Sequence, residues 1–246
     1  MTAERSNMGL NADSVLAERV RQQLTVFPEK FRELGEGGEL RSLCRSTRTL
    51  SGPKVNQARE HFTEQYLIEP ILHGLGYRNP ISEDYVGTGP HFVRRPSTYR
   101  SLEINRPDYL LKNVSPQVDC ILEAKAANEE QITGDKRRAT ADIEDYVDSD
   151  TFAKYLKTLE KRYLVAIGTD GLRWVLWAKD VRSRTTKRAI AEVDLSDAIE
   201  SIAKRDSVIE GEPKQTTVEI RRFLANKFIP PFAARSIDEF VAAQFE

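Results

Sequence analysis

Arg106-Pro107-Asp108-Tyr109-Leu110-Leu111-Lys112-Asn113-Val114-Ser115-Pro116-Gln117-Val118-Asp119-Cys120-Ile121-Leu122-Glu123-Ala124-Lys125-Ala126 holds two apolar runs around a short polar one. The outer runs, 105–112 and 117–126, carry β-compatible residues, and Asn113, Ser115 and Pro116 between them favour a turn. The economical reading is a β-hairpin. Side chains alternate along a strand, so Ile121, Glu123 and Lys125 share one face and Val118, Cys120 and Leu122 the other. With a pivot near Val114 and Ser115, Asp108 falls opposite Ile121 and becomes the diagonal neighbour of Glu123, at about 7–8 Å.

Two carboxylates so placed can close on one cation, with an ammonium beside them. Mg²⁺ suits such a site, because it prefers oxygen ligands and commonly takes only one or two protein carboxylates, keeping waters or substrate phosphate oxygens for the rest. Glu-x-Lys is weak on its own. A second copy, Glu212-Pro213-Lys214, lies in a polar stretch with no apolar strand leading into it, and it reads as surface. The first copy differs in context, with an apolar strand delivering it and a Pro-Asp on the strand before.

Outward from the hairpin, residues 51–75 predict a long helix opened by Ser51-Gly52-Pro53, kinked or restarted at Pro70 and stopped by Gly74 and Gly76. Its buried stripe is Ile68, Ile71, Leu72 and Leu75, and counting back by fours puts Glu64 and Glu60 on the same side. Acids there are costly unless paired or ligating something. Residues 81–93 predict a further strand or loop, and 140–161 a helix. Residues 163–168 and 172–178 predict strands around Asp170-Gly171, a two-residue hairpin signal, with Trp174 and Trp177 as packing residues. Residues 189–195 predict an edge strand. The N-terminal part predicts a helix pair over 12–34 broken near Pro28, and the pattern beyond Asp197 is helical, interrupted by Pro230-Pro231. Residues 237–246 read as an amphipathic helix leading into a further part of a larger protein.

The run 60–177 resembles the PD-(D/E)XK nuclease superfamily, and within it the N-terminal nuclease domain of type I and fused restriction endonucleases. Residues 63–77 (TEQYLIEPILHGLGY) are similar to its opening helix, 121–126 (ILEAKA) to its central strand and 166–177 (AIGTDGLRWVLW) to its closing hairpin. The likeness covers about half the chain. It implies an α/β fold: a restriction-endonuclease-like core over 51–196 with a central mixed β-sheet flanked by helices, an N-terminal helical extension over 1–50, and a C-terminal helical extension or linker over 197–246.

It further implies Mg²⁺-dependent hydrolysis of double-stranded DNA, with Mn²⁺ able to substitute. Asp108, Glu123 and Lys125 would be catalytic, and the metal would be held by Asp108, Glu123, the Ala124 carbonyl and a helix acid, for which Glu60 matches better than Glu64. The family's Gln-x-x-x-Tyr element keeps its Tyr as Tyr146 but has Asp142 in place of Gln. Asp142 is either a third acid near the metal or, the preferred reading, an exposed helical residue. Partners would be the motor, methyltransferase or specificity parts of a restriction-modification enzyme. A catalytically inactive DNA-binding or docking module is the alternative.

Composition bounds these expectations. A net charge of −1 from 37 basic and 38 acidic residues is poor for duplex binding, whose affinity comes largely from neutralising phosphates. Local clusters offset it: Arg94, Arg95, Arg100 and Arg106 lead into Asp108, and Lys136, Arg137 and Arg138 follow Lys125. Arg100, Arg106, Lys136, Arg137 and Arg138 are the expected DNA contacts. Two cysteines without a CxxC and three histidines argue against a zinc site or a disulfide framework. No apolar run reaches the roughly 20 residues of a membrane span, so the expectation is a cytoplasmic protein with no membrane partner. No phosphate-binding loop, dinucleotide fingerprint or nucleophile elbow competes.

Overall fold

In a computed structural model, residues 2–79, 87–96, 106–130, 138–149 and 160–246 are described. Six strands form one mixed sheet in sequential order: β1 (His91–Arg94), β2 (Tyr109–Lys112), β3 (Val118–Ala124), β4 (Tyr163–Thr169), β5 (Arg173–Asp180) and β6 (Thr185–Asp194). Every neighbouring pair is antiparallel except β3 and β4. A parallel pair needs a crossover rather than a hairpin, and α7 (Ala139–Asp148) lies in that connection. Residues 149, 160 and 161 of the predicted 140–161 helix are not helical, and 150–159 lie outside the described residues, as do 81–86 of the predicted strand or loop.

The two faces of the sheet carry separate cores. Leu110, Ile121, Leu164, Ala166, Val175 and Trp177 pack under Ile143, Tyr146 and Val147 of α7. The opposite face, with Tyr109, Cys120, Leu122, Val165, Trp174 and Leu176, is covered by helices from both ends of the chain. These are α1 (Thr2–Gln23), α2 (Val26–Leu34), α3 (Gly37–Cys44), α4 (Gly52–Val55), α5 (Arg59–Thr63) and α6 (Glu69–Gly74), then α8 (Ser196–Arg205), α9 (Thr217–Phe223), α10 (Ile229–Phe232) and α11 (Ile237–Ala242). Residues of the 1–50 and 197–246 segments therefore share buried surface with the sheet. Trp174 is fully buried against Phe228 and Phe232, with its indole N–H donated to the Gly171 carbonyl at 3.0 Å. Trp177 packs on the α7 side beneath the Arg188 guanidinium.

Several predicted boundaries move, each for a local reason. The first helix pair breaks at Leu24-Thr25, and Pro28 sits in the first turn of α2, where a missing N–H costs nothing. The helix expected over 51–75 is interrupted at Asn56, which takes a left-handed conformation (φ 52°) and ends α4. Chain direction resumes in α5, which passes into a π turn over Glu64–Ile68 before α6. Pro70 offers no N–H to the carbonyl four residues back, and the Glu69 N–H bonds to Glu64 instead, five residues back. The same happens ahead of Pro230-Pro231, where a π turn spans Leu224–Phe228. Three residues rather than two link β4 to β5, with Gly171 at φ 81° and Leu67 packed where a side chain would go.

Candidate active site

The hairpin of β2 and β3 forms with a register two residues from the expected one. Leu110, not Asp108, lies opposite Ile121, and Tyr109 lies opposite Leu122, so the ladder carried one step further sets Asp108 opposite Glu123. The turn is displaced because Asn113 leaves the strand at φ 56° and Pro116 cannot donate to the ladder. A shift of two preserves the face of every side chain. Asp108 and Glu123 are consequently direct rather than diagonal neighbours, both on the α7 side.

Asp108 stands just ahead of β2, fixed by two hydrogen bonds. Its carbonyl accepts from the Arg95 N–H at 2.7 Å, and its carboxylate Oδ2 accepts from the Ala124 N–H at 2.9 Å. Lys125 follows the last residue of β3, its N–H bonded to the Thr169 carbonyl at 2.9 Å. The Lys125 ammonium bridges Glu123 Oε1 at 2.9 Å and Asp142 Oδ2 at 2.5 Å. Asp142 is therefore a half-buried partner of the lysine, which corrects its reading as an exposed helical acid. α7 reaches this position because Gly168, paired with Glu123 across β3 and β4, has no side chain. A Cβ there would meet Ala139 and Thr140 of the helix start at 3.2–3.3 Å.

The electrostatics of the cluster are unbalanced toward negative charge. Burial, then the Asp108 charge, push the Glu123 carboxyl up to about 8, against the opposing pull of Lys125. Asp108 is also raised, chiefly by burial, with the Ala124 N–H and Lys125 pulling it down and Glu64 and Glu60 pushing it up. Without a cation, Glu123 therefore holds its proton near neutral pH. Burial pulls the Lys125 ammonium down, but the Glu123 charge and the hydrogen bonds to Asp142 and Glu123 outweigh it, so it titrates above an ordinary lysine. Burial and the Glu123, Asp108 and Asp142 charges push the Tyr146 phenol up, so it stays neutral in the floor of the cluster.

Glu123 Oε2 is buried and, among the described residues, has no hydrogen-bond partner. An unpartnered carboxylate oxygen beside a second carboxylate fits a small divalent cation. The helix acids stand differently. Glu64 is buried and accepts from the Tyr109 hydroxyl at 2.9 Å and Arg94 at 3.1 Å, which satisfies it. Glu60 is exposed in the first turn of α5, near enough to act on Asp108 through space. The π turn beginning at Glu64 breaks the counting by fours that put both acids on one side. Among the described residues, no three His, Cys, Asp or Glu side chains converge closely enough to hold a metal, so Asp108 and Glu123 stand as a pair.

Of the expected DNA contacts, Arg106 is exposed beside Asp108 and Arg138 precedes α7. Arg100, Lys136 and Arg137 lie outside the described residues. Arg94 is committed to Glu64 and Glu69. The sequence reading missed Asp170, taken for a turn residue only. It is fully buried, accepting the N–H groups of Leu172, Arg173 and Glu130 at 2.8–3.0 Å, and so ties the β4–β5 turn to the chain that follows Lys125. The second Glu-x-Lys copy lies in the exposed connection between α8 and α9, where Lys214 pairs with Asp197 and Glu200.

The fold defines an α/β protein with a six-stranded, mixed, open sheet and helices on both faces. No family model, curated protein or solved structure matches the chain. Among the described residues, no helix is long and apolar enough to cross a membrane.

Proposed function

We propose that this chain is a Mg²⁺-dependent deoxyribonuclease of restriction-endonuclease type, cytoplasmic, and the cleavage domain or subunit of a restriction-modification system. The reading is carried by one observation: Asp108 and Glu123 share one sheet face as ladder neighbours, with one Glu123 oxygen buried and unpartnered and the Lys125 ammonium 2.9 Å from the other. Asp108 and Glu123, with the Ala124 carbonyl, would hold the cation. Bound there, Mg²⁺ or Mn²⁺ polarises a phosphoryl oxygen and lowers the pKa of a coordinated water.

The chain's own groups do the rest. Lys125, charged throughout the physiological range, offers donors to the negative charge that builds on the phosphorus oxygens. The Ala124 N–H fixes one Asp108 oxygen. Arg106, exposed two residues before Asp108, and Arg138, just ahead of α7, would offer positive charge to the phosphates. With a net charge of −1, most duplex affinity is assigned to motor, methyltransferase or specificity partners.

The second reading, a nuclease-like module that binds or docks without turnover, is favoured by the clamp on Lys125, whose ammonium is bonded to two carboxylates. Relaxation of supercoiled plasmid with Mg²⁺ or Mn²⁺ separates the two. The nuclease reading expects nicking or cleavage that falls at least about 100-fold in Asp108→Ala and Lys125→Ala. Equal activity in these variants, or none in the native chain with its partner subunits present, removes it.

A further inference from the structure

Lys125 is held at two points, and the second is not explained by the acid pair. Glu123 lies two residues away on the same face, so its contact to the ammonium is local and leaves the direction of a long, four-carbon stem undefined. The other contact comes from a different element. Asp142 sits in the first turn of α7, whose start is seated on the bare backbone of Gly168. The Asp142 carboxylate is thus carried by a rigid element, and its contact at 2.5 Å is the shorter of the two. No three acids converge here among the described residues, so this carboxylate is engaged with the lysine rather than with a shared cation position.

We propose that Asp142 is the positioning residue for Lys125: it anchors the ammonium from the helix side, so the amine keeps its place when Glu123 turns to a cation. The proposal rests on the nuclease reading for its consequence, though not for the contact itself. With Glu123 occupied by a divalent ion, a lysine held only by that glutamate would be repelled and swing free. Asp142 supplies the counter-charge that keeps it in the site. Tyr146, one turn further along α7 and buried beneath the cluster, backs the helix against the sheet.

Asp142→Asn keeps the shape and removes the charge, and Lys125→Met removes the ammonium. With Mg²⁺ and plasmid DNA, Asp142→Asn is expected to lower kcat about 10–100-fold while KM, and duplex binding measured with Ca²⁺, change by less than about threefold. Added to Lys125→Met it should cost nothing more, because its effect passes through the lysine. Asp142→Glu should recover part of kcat. Full additivity of the two substitutions, or an equal loss of cation affinity from Asp142→Asn in the Lys125→Met background, would overturn the proposal by making Asp142 a ligand.

A measurement without turnover keeps the two claims apart. In nitrogen-15 NMR the hydrogen-bonded Lys125 ammonium should stay visible in the native chain on adding Mg²⁺ and vanish in Asp142→Asn under the same conditions. Loss of that signal in the native chain with Mg²⁺, or its persistence in Asp142→Asn, overturns the positioning role. A native chain that keeps the signal but leaves DNA intact overturns only the nuclease reading.

Discussion

Replacing Glu123 by Gln removes a titratable group from the centre of the cluster and keeps its shape, so its effect on stability should depend on pH in a calculable way. An unfolded glutamate titrates at 4.5, whereas folded Glu123 holds its proton up to about 8, because burial and Asp108 oppose its charge. Between those values the folded chain binds more protons than the unfolded one. Stability is therefore lost as pH rises through that window, and the loss is complete above the upper value. From pH 5.5 to pH 8 the span is about 2.5 units at about 1.36 kcal/mol each, or roughly 3 kcal/mol. Asp170, raised to about 7 by burial against three backbone donors, pulls the same way, but it is present in both proteins and cancels in the comparison. Urea unfolding in EDTA at pH 5.5 and 8.5 measures the difference. Glu123→Gln should gain on the native chain by about 3 kcal/mol more at pH 8.5 than at pH 5.5, or about 6–12 °C in Tm for a chain of this size. A cation should replace that gain only in the native protein. At about 100 times its Kd, Mg²⁺ stabilises a folded chain by about 2.7 kcal/mol, and here the effect should grow with pH as Glu123 loses its proton. An advantage of Glu123→Gln that is the same at both pH values would refute the reasoning, since the acid pair would then hold no uncompensated charge for a cation to neutralise.

Two further substitutions probe the scaffold that presents the acids. Gly168→Ala should destabilise by about 1–3 kcal/mol and lower any cation-dependent activity, because the added methyl meets Ala139 and Thr140 and lifts α7 from β4. Calorimetry against a surface Gly38→Ala control, where nothing crowds the added carbon, checks it. Trp174→Ala should cost about 3–5 kcal/mol in urea unfolding, since it empties the space between β5, Phe228 and Phe232 and frees the Gly171 carbonyl.

The legible part of the site was the part set by local chemistry. Ile121, Glu123 and Lys125 had to share a face if 117–126 was a strand, because the pleat has a period of two. Asp108 stayed on that face despite the register error, because the error was also two residues. Glu64 and Asp142 were not legible. Glu64 depends on a π turn that Pro70 imposes and on Arg94 and Tyr109 arriving from two strands. Asp142 depends on how closely one helix can approach a strand, which Gly168 decides from twenty-six residues away.

The sequence by itself determined the strand hairpin, the face its acids occupy, the helical flanks and the near-neutral charge, since alternation, turn chemistry and composition act within a few residues. Only the tertiary structure decided which carboxylates meet, which of them the Lys125 ammonium holds, and which are already satisfied. Those outcomes depend on distances between elements far apart in the chain and on burial that raises the cost of every unpaired charge, and neither is encoded in any short stretch.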